Sequence, residues 1–506
     1  MNRRVRGLDA AEIGVALLTA IGAVVGSLVA IGNTPGFVLP STAAVVRDTL
    51  PGLLVAAGIG ALRDLAQPLL LLGSGVLLVL VYGAAALAAG RVTEGAALRA
   101  GVTVLLVGAL TALLTGSATS AFGAGLGAGV VAAAASLSLD LSGPVGASGT
   151  GTEDPPGRRR LLQAGAAVVA GVVLGVIRTR EPDTGDDRQP PDPAAASLLS
   201  AADDRSFSLP GAEPLVSEEF YTVDIAPTNP NIDPTSYQLA VTGEVGTERT
   251  FTLEELQELG GERRFVTLRC VSDKINGTKA DTALWDGVPV AAVLEAVDAP
   301  ETCCVTLHGD DDYFVSFPRE ALDPGLLAWG MNGRPLPRGH GAPLRTLVPG
   351  HWGETNAKWL TEIEIREEPE EGYWEQRGWE GTGEVNTVAK LHSTTIEDGV
   401  VRVGGHAYAG TRGIDAVEVS TDGGDSWTEA TLSDTLPGPT PIGEEEPEAT
   451  GEAADAWRMW RHEYEQSGEH EVVVRAIDGT GEVQTETEQD GFPSGATGWV
   501  RKTVQA

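Results

Sequence analysis

The sequence predicts a protein of three parts: an N-terminal α-helical transmembrane bundle, a mixed α+β domain and a C-terminal β-sandwich. Three patterns in the 506-residue chain carry this prediction. Long apolar runs fill the first 180 residues, strands interleaved with short helices follow residue 213, and short alternating strands begin near residue 385. The predicted boundaries are 1–180, 181–212, 213–384 and 385–506, the second of these being a linker.

Charge divides the chain in the same place. Residues 1–150 hold only six acidic residues and seven arginines, out of 70 acidic and 35 basic residues in the whole chain, so the net charge of −35 lies almost entirely in the remainder. A surface rich in carboxylates and poor in lysine stays solvated, and concentrated salt screens its self-repulsion. This composition indicates a halophile, such as a halophilic archaeon. It argues against nucleic acid as a partner, because like charges repel.

The N-terminal part is predicted to cross a membrane. Five apolar runs approach the ~20 residues that a helix needs to span a bilayer, at positions 13–31, 68–89, 96–115, 118–137 and 161–177. Arginines before the first and fifth runs place the N-terminus inside. Five crossings then put everything after Arg178 outside, as the extracytoplasmic half of a multi-pass cell-membrane protein. A sixth crossing between residues 53 and 62 would be too short.

Two further features bear on the role of these apolar runs. The arginines at 158–160 fit a positive-inside anchor and equally a twin-arginine export signal for a domain that crosses already folded. The runs offer no mid-membrane carboxylate and no imidazole for a haem, since every histidine lies in the soluble half: His308, His340, His351, His392, His406, His462 and His470. The bundle is therefore interpreted as an anchor, and no haem is expected.

The soluble half begins with a predicted tether and continues with two folded parts. Residues 180–209 are rich in Pro, Asp and Ala without hydrophobic periodicity, which indicates a flexible acidic linker. Strands are predicted at 237–245 and 264–269, a helix opened by a capping box at Thr252 and Glu255, and paired strands at 305–307 and 313–317. Alternating strands at 400–403, 414–420, 427–432 and 471–476 are typical of an immunoglobulin-like β-sandwich.

A cysteine at the end of a strand is the first candidate for chemistry. Cys270 closes an apolar-alternating run and opens onto a polar loop that contains Gly277. The neighbouring cations Arg269 and Lys274 would favour the thiolate, the form that binds metals, and soft sulfur suits a polarizable metal. A structural thiol is the competing interpretation.

The adjacent residues Cys303 and Cys304 bear on that choice. Adjacent cysteines bridge each other only with strain, so they are predicted to be buried thiols on a strand. A disulfide from either one to Cys270 would remove the metal ligand, and oxidising conditions outside the cell permit one.

A second group of residues is suited to an anionic cofactor. Arg345 and Lys358 lie thirteen residues apart near His340 and a glycine-rich turn. An arginine can grip a phosphate through two hydrogen bonds, and a lysine adds a point charge. Taken alone, this pattern is a weak anion-site signal.

Four further segments extend these observations: Trp285–Pro289, Gly330–Pro337, Lys358–Leu360 and Gly405–Arg412. Together with Cys270 they resemble the sulfite oxidase family of molybdopterin enzymes over about residues 213–506. The resemblance implies a molybdenum–molybdopterin cofactor with Cys270 as catalytic metal ligand, a substrate-directed Arg412, and a C-terminal domain that forms a homodimer. The cofactor-binding residues that it implies are Tyr221, Thr222, Asp224, Cys270, Ser316, His340, Arg345, Asn356, Ala357 and Lys358.

The chain departs from the animal sulfite oxidases at two positions. Thr222 stands where those enzymes carry an arginine for sulfite, and Trp379 stands where they carry a catalytic tyrosine. A cytochrome b5-like haem domain is also missing from the pattern. The predicted anion pocket is therefore less basic than theirs.

The predicted function is two-electron oxygen-atom transfer at molybdenum by a membrane-anchored oxidoreductase, with sulfite oxidation to sulfate as the first candidate. The alternative is reduction of an S-oxide or N-oxide, as in the family's methionine-sulfoxide repair branch. A third hypothesis keeps the fold without the metal, as an exported binding module in which Cys270 forms a disulfide. Both enzymatic hypotheses require a small oxyanion or S-oxide substrate and a separate electron carrier.

Overall fold

A computed structural model of the chain describes residues 10–50, 65–93, 95–136, 156–179, 190–226, 228–444 and 448–506. These residues form two compact units. One comprises Met1–Pro182 with Ala226–Pro230, and the other comprises Asp183–Ile225 with Asn231–Ala506. The predicted α+β domain and β-sandwich thus lie in one unit, which contains all the candidate site residues.

The first unit is helical. Its helices are α1 (Ala10–Ile31), α2 (Val38–Thr49), α3 (Ala66–Val92), α4 (Ala96–Thr115), α5 (Ala118–Ala134) and α6 (Pro156–Thr179). Small residues allow α1 and α5 to pack closely, since a Cβ on Gly26 would lie 2.2 Å from the carbonyl oxygen of Gly123.

Fewer membrane spans are supported than the sequence predicts. Among the described residues, α1, α3 and α4 are long and apolar enough to cross a membrane, whereas α5 and the apolar part of α6 (Leu161–Val172) are shorter. The expected loop between the first two runs carries α2, and the candidate sixth crossing at 53–62 lies outside the described residues. Three of the five predicted spans are therefore supported, and the other two remain predictions.

The second half of the predicted linker is folded, so the prediction of a flexible tether is wrong there. Helix α7 (Pro193–Arg205) begins at Asp192, whose side chain accepts hydrogen bonds from the amides of Ala194 and Ala195. Ala195 and Ala202 are completely buried against the core. An N-cap followed by proline starts this helix, and small apolar residues at helical spacing provide its buried face. Residues 180–189 lie outside the described part.

The α+β region contains two sheets, and its predicted strands are confirmed. One sheet has the order β2 (Arg249–Thr252), β1 (Gln238–Gly243), β10 (Leu360–Arg366), β5 (Cys304–Gly309) and β6 (Phe314–Pro318), with β1 and β10 parallel. The other runs β17 (Thr440–Pro441), β3 (Glu262–Arg269), β4 (Ala280–Pro289), β7 (Leu326–Met331) and β8 (Arg334–Pro335), with β9 (Arg345–Leu347) also paired to β7.

Short helices join these strands: α8 (Leu253–Glu258), α9 (Val290–Glu295) and α10 (Arg319–Leu322). The capping box predicted for α8 is confirmed. The amide of Glu255 donates to Thr252 Oγ1 at 3.2 Å, and the amide of Thr252 donates to Glu255 Oε2 at 2.8 Å. This reciprocal pair satisfies two amides that a helix start leaves free.

The C-terminal region is a sandwich of two antiparallel sheets. One contains β11 (Val388–Ala389), β12 (Ser393–Glu397), β13 (Val400–Tyr408), β16 (Thr431–Leu432) and β18 (Arg458–Glu465). The other contains β14 (Ile414–Ser420), β15 (Thr428–Glu429), β19 (Glu469–Asp478) and β20 (Val500–Gln505). Buried valines from both sheets share one core, as alternating strands predict. The immunoglobulin-like topology remains a prediction.

Candidate active site

Cys270 is the first residue of the loop that joins two paired strands. It directly follows β3, and its amide donates to the carbonyl of Lys279 (2.9 Å) just before β4 begins at Ala280. Its side chain is free of any disulfide and buried. The Sγ atom lies 3.2 Å from Ser272 Oγ. The strand pairing therefore fixes both ends of the loop that presents the thiol.

The predicted activation of this thiol by Arg269 and Lys274 is wrong. Burial raises the pKa of Cys270, and the hydrogen bond from Ser272 and the charge of Lys279 only partly oppose it. Arg269 is within electrostatic reach of the thiol but is itself desolvated, stacks 4.9 Å from the Trp352 ring and donates to the carbonyl of Asn386 at 3.0 Å. The protein alone thus disfavours the thiolate, whereas a bound metal ion deprotonates a coordinating thiol.

The prediction of buried thiols at 303 and 304 is also wrong. Cys303 and Cys304 are bonded to each other, and Cys303 is exposed. Cys303 precedes β5, so its side chain is not held on one face of the strand and can turn toward its neighbour. Neither cysteine reaches Cys270, so the structure contradicts the disulfide on which the metal-free hypothesis depended.

Arg345, Lys358 and His340 come together as predicted. Arg345 donates to the carbonyls of His340 (3.1 Å) and Asn356 (3.2 Å). Lys358 Nζ donates to the carbonyl of Gly339 at 3.0 Å and pairs with Asp224 Oδ2 at 2.7 Å. The carbonyls of residues 339, 340 and 356 therefore hold Arg345 and Lys358 in place, and Asp224 pairs with the lysine.

Burial governs the electrostatics of this cluster. It lowers the pKa of Arg345 to about 10 and also lowers the pKa of Lys358. Burial and the two nearby cations lower the pKa of His340 to about 3, so its imidazole is neutral at physiological pH. Two largely desolvated cations and a neutral imidazole make a pocket that an anion would stabilise.

Buried polar atoms left without partners test whether a phosphate-bearing pterin fits. Within the described ranges, Arg345 Nε, Thr346 Oγ1 and Ser316 Oγ are buried and have no hydrogen-bond partner. Such atoms are rare in folded proteins and usually mark a missing ligand or water. Of these atoms, Arg345 Nε belongs to the cation cluster, so this cluster fits an anionic, hydrogen-bonding cofactor.

Gly341 allows the two cations to approach each other. Its φ angle is +110°, and a Cβ there would lie 3.0 Å from Lys358 Cβ and 3.1 Å from Arg345 Cβ. We expect Gly341→Ala to destabilise the fold by about 1–3 kcal/mol because both the backbone conformation and the space favour glycine. Chemical denaturation should show the loss. Gly399→Ala is the control, since its φ is also positive (+82°) but nothing lies within 4 Å.

Tyr221 links the cysteine to the cation cluster. Burial raises the pKa of its phenol well above the usual value, the Cys270 thiolate acts in the same direction, and Arg345 opposes it. Its amide donates to Asp281 Oδ2 at 2.8 Å. One buried phenol thus interacts electrostatically with both predicted cofactor contacts.

The other predicted cofactor residues differ in their surroundings. Thr222 is exposed, and Ser316 is buried on β6. Asn356 is used internally, since its Oδ1 accepts from the amide of Val348 (2.7 Å). The carbonyl of Ala357 accepts from the amide of Thr346 at 2.9 Å. Cofactor contacts from Asn356 and Ala357 would therefore have to use atoms other than these.

Arg412 is held by partners within the protein. Its guanidinium donates to Asp478 Oδ2 (3.0 Å), Glu384 Oε2 (2.9 Å) and the carbonyl of Val385 (2.8 Å). All three of its nitrogens are occupied by the protein. The predicted contact with an oxyanion substrate has no support in this arrangement.

Sequence reasoning missed a pair of buried carboxyl groups near the site. Glu354 follows Gly353, whose Cβ position lies 2.8 Å from Tyr221 Oη. Burial and then Glu375 raise the pKa of Glu354 to about 9, and burial also raises the pKa of Glu375. Isolated glutamates in an acidic sequence look like solvated surface; the neighbouring tryptophans Trp352 and Trp374 were the available signal of burial.

Comparison with known proteins agrees with this geometry. The family model of the oxidoreductase molybdopterin binding domain matches residues 226–374, and that of the Mo-co oxidoreductase dimerisation domain matches residues 384–492. The chain belongs to the sulfite oxidase family of molybdopterin oxidoreductases. The family resemblance stated from the sequence is thereby confirmed.

Individual relatives are distant. Mitochondrial sulfite oxidase of Rattus norvegicus is 29% identical over 356 residues, which cover 58% of this chain and 63% of that protein. Sulfite oxidase of Arabidopsis thaliana is 28% identical over 307 residues, covering 50% and 77%. The sulfane dehydrogenase SoxCD from Paracoccus pantotrophus aligns with a TM-score of 0.47 and 20% identity, covering 64% of this chain and 92% of that one. The match with the rat enzyme thus spans less than two thirds of its length.

Proposed function

We propose that this protein is a molybdenum-dependent oxidoreductase that transfers an oxygen atom together with two electrons, with Cys270 as the metal ligand. The observation that carries this proposal is a free, buried thiol in the same unit as a desolvated cation pocket. Tyr221 is stacked on the Phe220 ring that contacts His340, and the Tyr221 hydroxyl lies beside Gly353, next to the Arg269 backbone. The molybdenum cofactor, when bound, supplies the redox chemistry. His340, Arg345 and Lys358 would hold its anionic part, and the surrounding buried aromatic residues exclude water.

Sulfite is the first candidate substrate, because sulfite oxidases of rat, fly and Arabidopsis are among the relatives at 27–29% identity. Its oxidation to sulfate takes one oxygen from water and releases two electrons and two protons. A neutral S-oxide or N-oxide, reduced in the opposite sense, is the second candidate. The ion pairs of Arg412 with Asp478 and Glu384 favour this second candidate, since they leave Arg412 unable to neutralise a substrate dianion.

Two assays on the purified protein separate these candidates. Sulfite is offered with an artificial electron acceptor, and methionine sulfoxide or an N-oxide is offered with an artificial donor. Turnover of sulfite alone would establish the first candidate, and turnover of the oxides alone would establish the second. Protein that contains stoichiometric molybdenum and turns over neither would refute both.

Arg412→Gln tests the role of that arginine directly. We expect the KM of the active substrate to stay unchanged and the free energy of unfolding to fall by about 1–3 kcal/mol, because buried Asp478 loses its charged partner. Arg402→Gln serves as control, since Arg402 makes exposed ion pairs with Glu397 and Glu463 in the same sandwich. An increase in KM without a loss of stability would show that Arg412 binds the substrate, contrary to this expectation.

The N-terminal helices and the C-terminal domain support proposals about membrane anchoring and oligomeric state. We infer anchoring in the cell membrane through α1, α3 and α4 at least, with the catalytic unit on the extracytoplasmic side as the arginine distribution indicates. A homodimer is proposed because residues 384–492 match a dimerisation domain, and a separate electron carrier is proposed to accept or supply electrons. Protease accessibility in intact cells tests the sidedness.

A further inference from the structure

A short segment of the C-terminal sandwich holds the cysteine loop. We call Lys390, Leu391 and His392, which lie between β11 and β12, the 390–392 strap. The amides of Lys390 and His392 anchor the strap in the sandwich by donating to the carbonyls of His406 (2.7 Å) and Gly404 (3.1 Å). Lys390 and Leu391 contact the loop between Cys270 and Lys279 across a sequence separation of more than a hundred residues.

Lys390 makes the strongest of these contacts. Its Nζ donates to Asp273 Oδ2 at 2.5 Å and to the carbonyl of Gly277 at 2.8 Å. The Lys390 and Asp273 side chains are only 2% and 1% exposed. Arg269 Nε lies 3.6 Å from the same Asp273 oxygen. The loop therefore contains a buried carboxylate held between two buried cations, one of which comes from the sandwich.

Asp273 connects Lys390 to both ends of the loop. Its amide donates to the carbonyl of Cys270 at 2.9 Å, and its Oδ1 accepts from the amide of Lys279 at 3.1 Å. A Cβ on Gly277 would lie 2.2 Å from Asp273 Oδ1, so the turn closes tightly around the carboxylate. Any shift of the carboxylate would move the backbone that carries Cys270.

Leu391 reinforces the loop without charge. The side chain of Asn276 accepts from the amide of Leu391 (2.8 Å) and donates to its carbonyl (3.0 Å). Residues 273, 276 and 277 are thus tied to Lys390 and Leu391 of the strap.

We propose that the 390–392 strap positions the molybdenum ligand, with Lys390 acting through Asp273 to fix the Cys270 backbone. Lys390 is a positioning residue that does not contact the metal. This inference rests on the proposed role of Cys270. It makes the sandwich part of the active-site architecture. Partners beyond the immediate ligands commonly control metal affinity in this way.

The test uses the full-length protein in detergent, prepared with and without a supply of the pterin cofactor. Cys270 is the free cysteine and the other two are disulfide-bonded, so its alkylation by iodoacetamide, followed by intact mass, reports loop order without any metal. Molybdenum content and the Mo(V) electron paramagnetic resonance spectrum report the loaded site. Alkylation is measured well below the melting temperature, where global unfolding does not contribute.

We expect Lys390→Met to accelerate alkylation of the cofactor-free protein about tenfold and to lower molybdenum affinity about tenfold, with a shifted Mo(V) spectrum. Arg475→Met is the control, since that arginine pairs with Glu418 on the other sheet of the sandwich; it should change none of these readouts. Unchanged alkylation and an unchanged spectrum in folded Lys390→Met would overturn the proposal, whatever happens to the melting temperature.

Two further outcomes are distinguishable. If the wild type binds no molybdenum but Lys390→Met still accelerates alkylation, the proposed function fails and the strap remains as an element that orders the loop. If Lys390→Met does not fold, Asn276→Ala takes its place, because it removes two hydrogen bonds to Leu391 and leaves no buried charge unpaired. Faster alkylation of that variant supports the strap, and unchanged alkylation overturns it.

Discussion

Cys270→Ser should leave a folded protein that has lost more than about 100-fold in turnover and most of its molybdenum. Outer partners of a metal site already contribute about 10–100-fold, so loss of the soft ligand itself should cost more. The side chain of Cys270 is buried and its contact with Ser272 Oγ, at 3.2 Å, does not anchor the fold. Stability should therefore change far less than activity.

The measurements are steady-state turnover with whichever candidate substrate the two assays establish, metal analysis and a melting curve on the same preparation. Ser272→Ala is a matched control, since it removes a neighbouring hydroxyl and keeps the thiol. Full activity in Cys270→Ser would refute the assignment of the ligand. A collapse of the melting curve would instead show that the thiol is structural.

Arg345→Met should abolish cofactor retention and also weaken the fold. The arginine is buried and donates to two carbonyls, those of His340 and Asn356. Hydrogen bonds to charged groups contribute about 1.5–3 kcal/mol each, so we expect the free energy of unfolding of the cofactor-free protein to fall by about 3–6 kcal/mol. The anion pocket would lose one of its two cations.

Denaturant unfolding of the cofactor-free chain and pterin analysis of the loaded chain separate these two effects. Arg366→Gln is the control in the same domain, because its ion pairs with Glu364 and Glu370 are partly exposed and should contribute about 0–1 kcal/mol. Arg345→Lys should keep the charge but lose the two-carbonyl geometry. Normal pterin content in Arg345→Met would contradict the pocket assignment.

Features that depend on local sequence could be predicted. The capping box at Thr252 and Glu255 formed because a helix start is decided within four residues. Paired strands β5 and β6 formed because alternation and a turn decide a hairpin. The grouping of His340, Arg345 and Lys358 followed from a family motif that spans fewer than twenty residues.

Features that depend on distant partners could not be predicted. Lys390 looks like a surface lysine in the sequence, and only the fold brings it to Asp273, 117 residues away. Arg412 was assigned to the substrate from the family resemblance, and its partners Glu384 and Asp478 could not be inferred because they lie 28 and 66 residues away. The raised pKa of the Cys270 thiol was missed because burial, which the sequence shows only statistically, outweighs the nearby cations.

X-ray absorption at the molybdenum edge tests the central claim most directly. Wild-type protein purified with its cofactor should show sulfur scattering from a protein ligand in addition to the sulfur scattering of the cofactor. Cys270→Ser should lose the protein-ligand sulfur, and any molybdenum that it retains should show the cofactor sulfur alone. Identical spectra for the two proteins would show that Cys270 does not bind the metal, and the account of the site would be wrong.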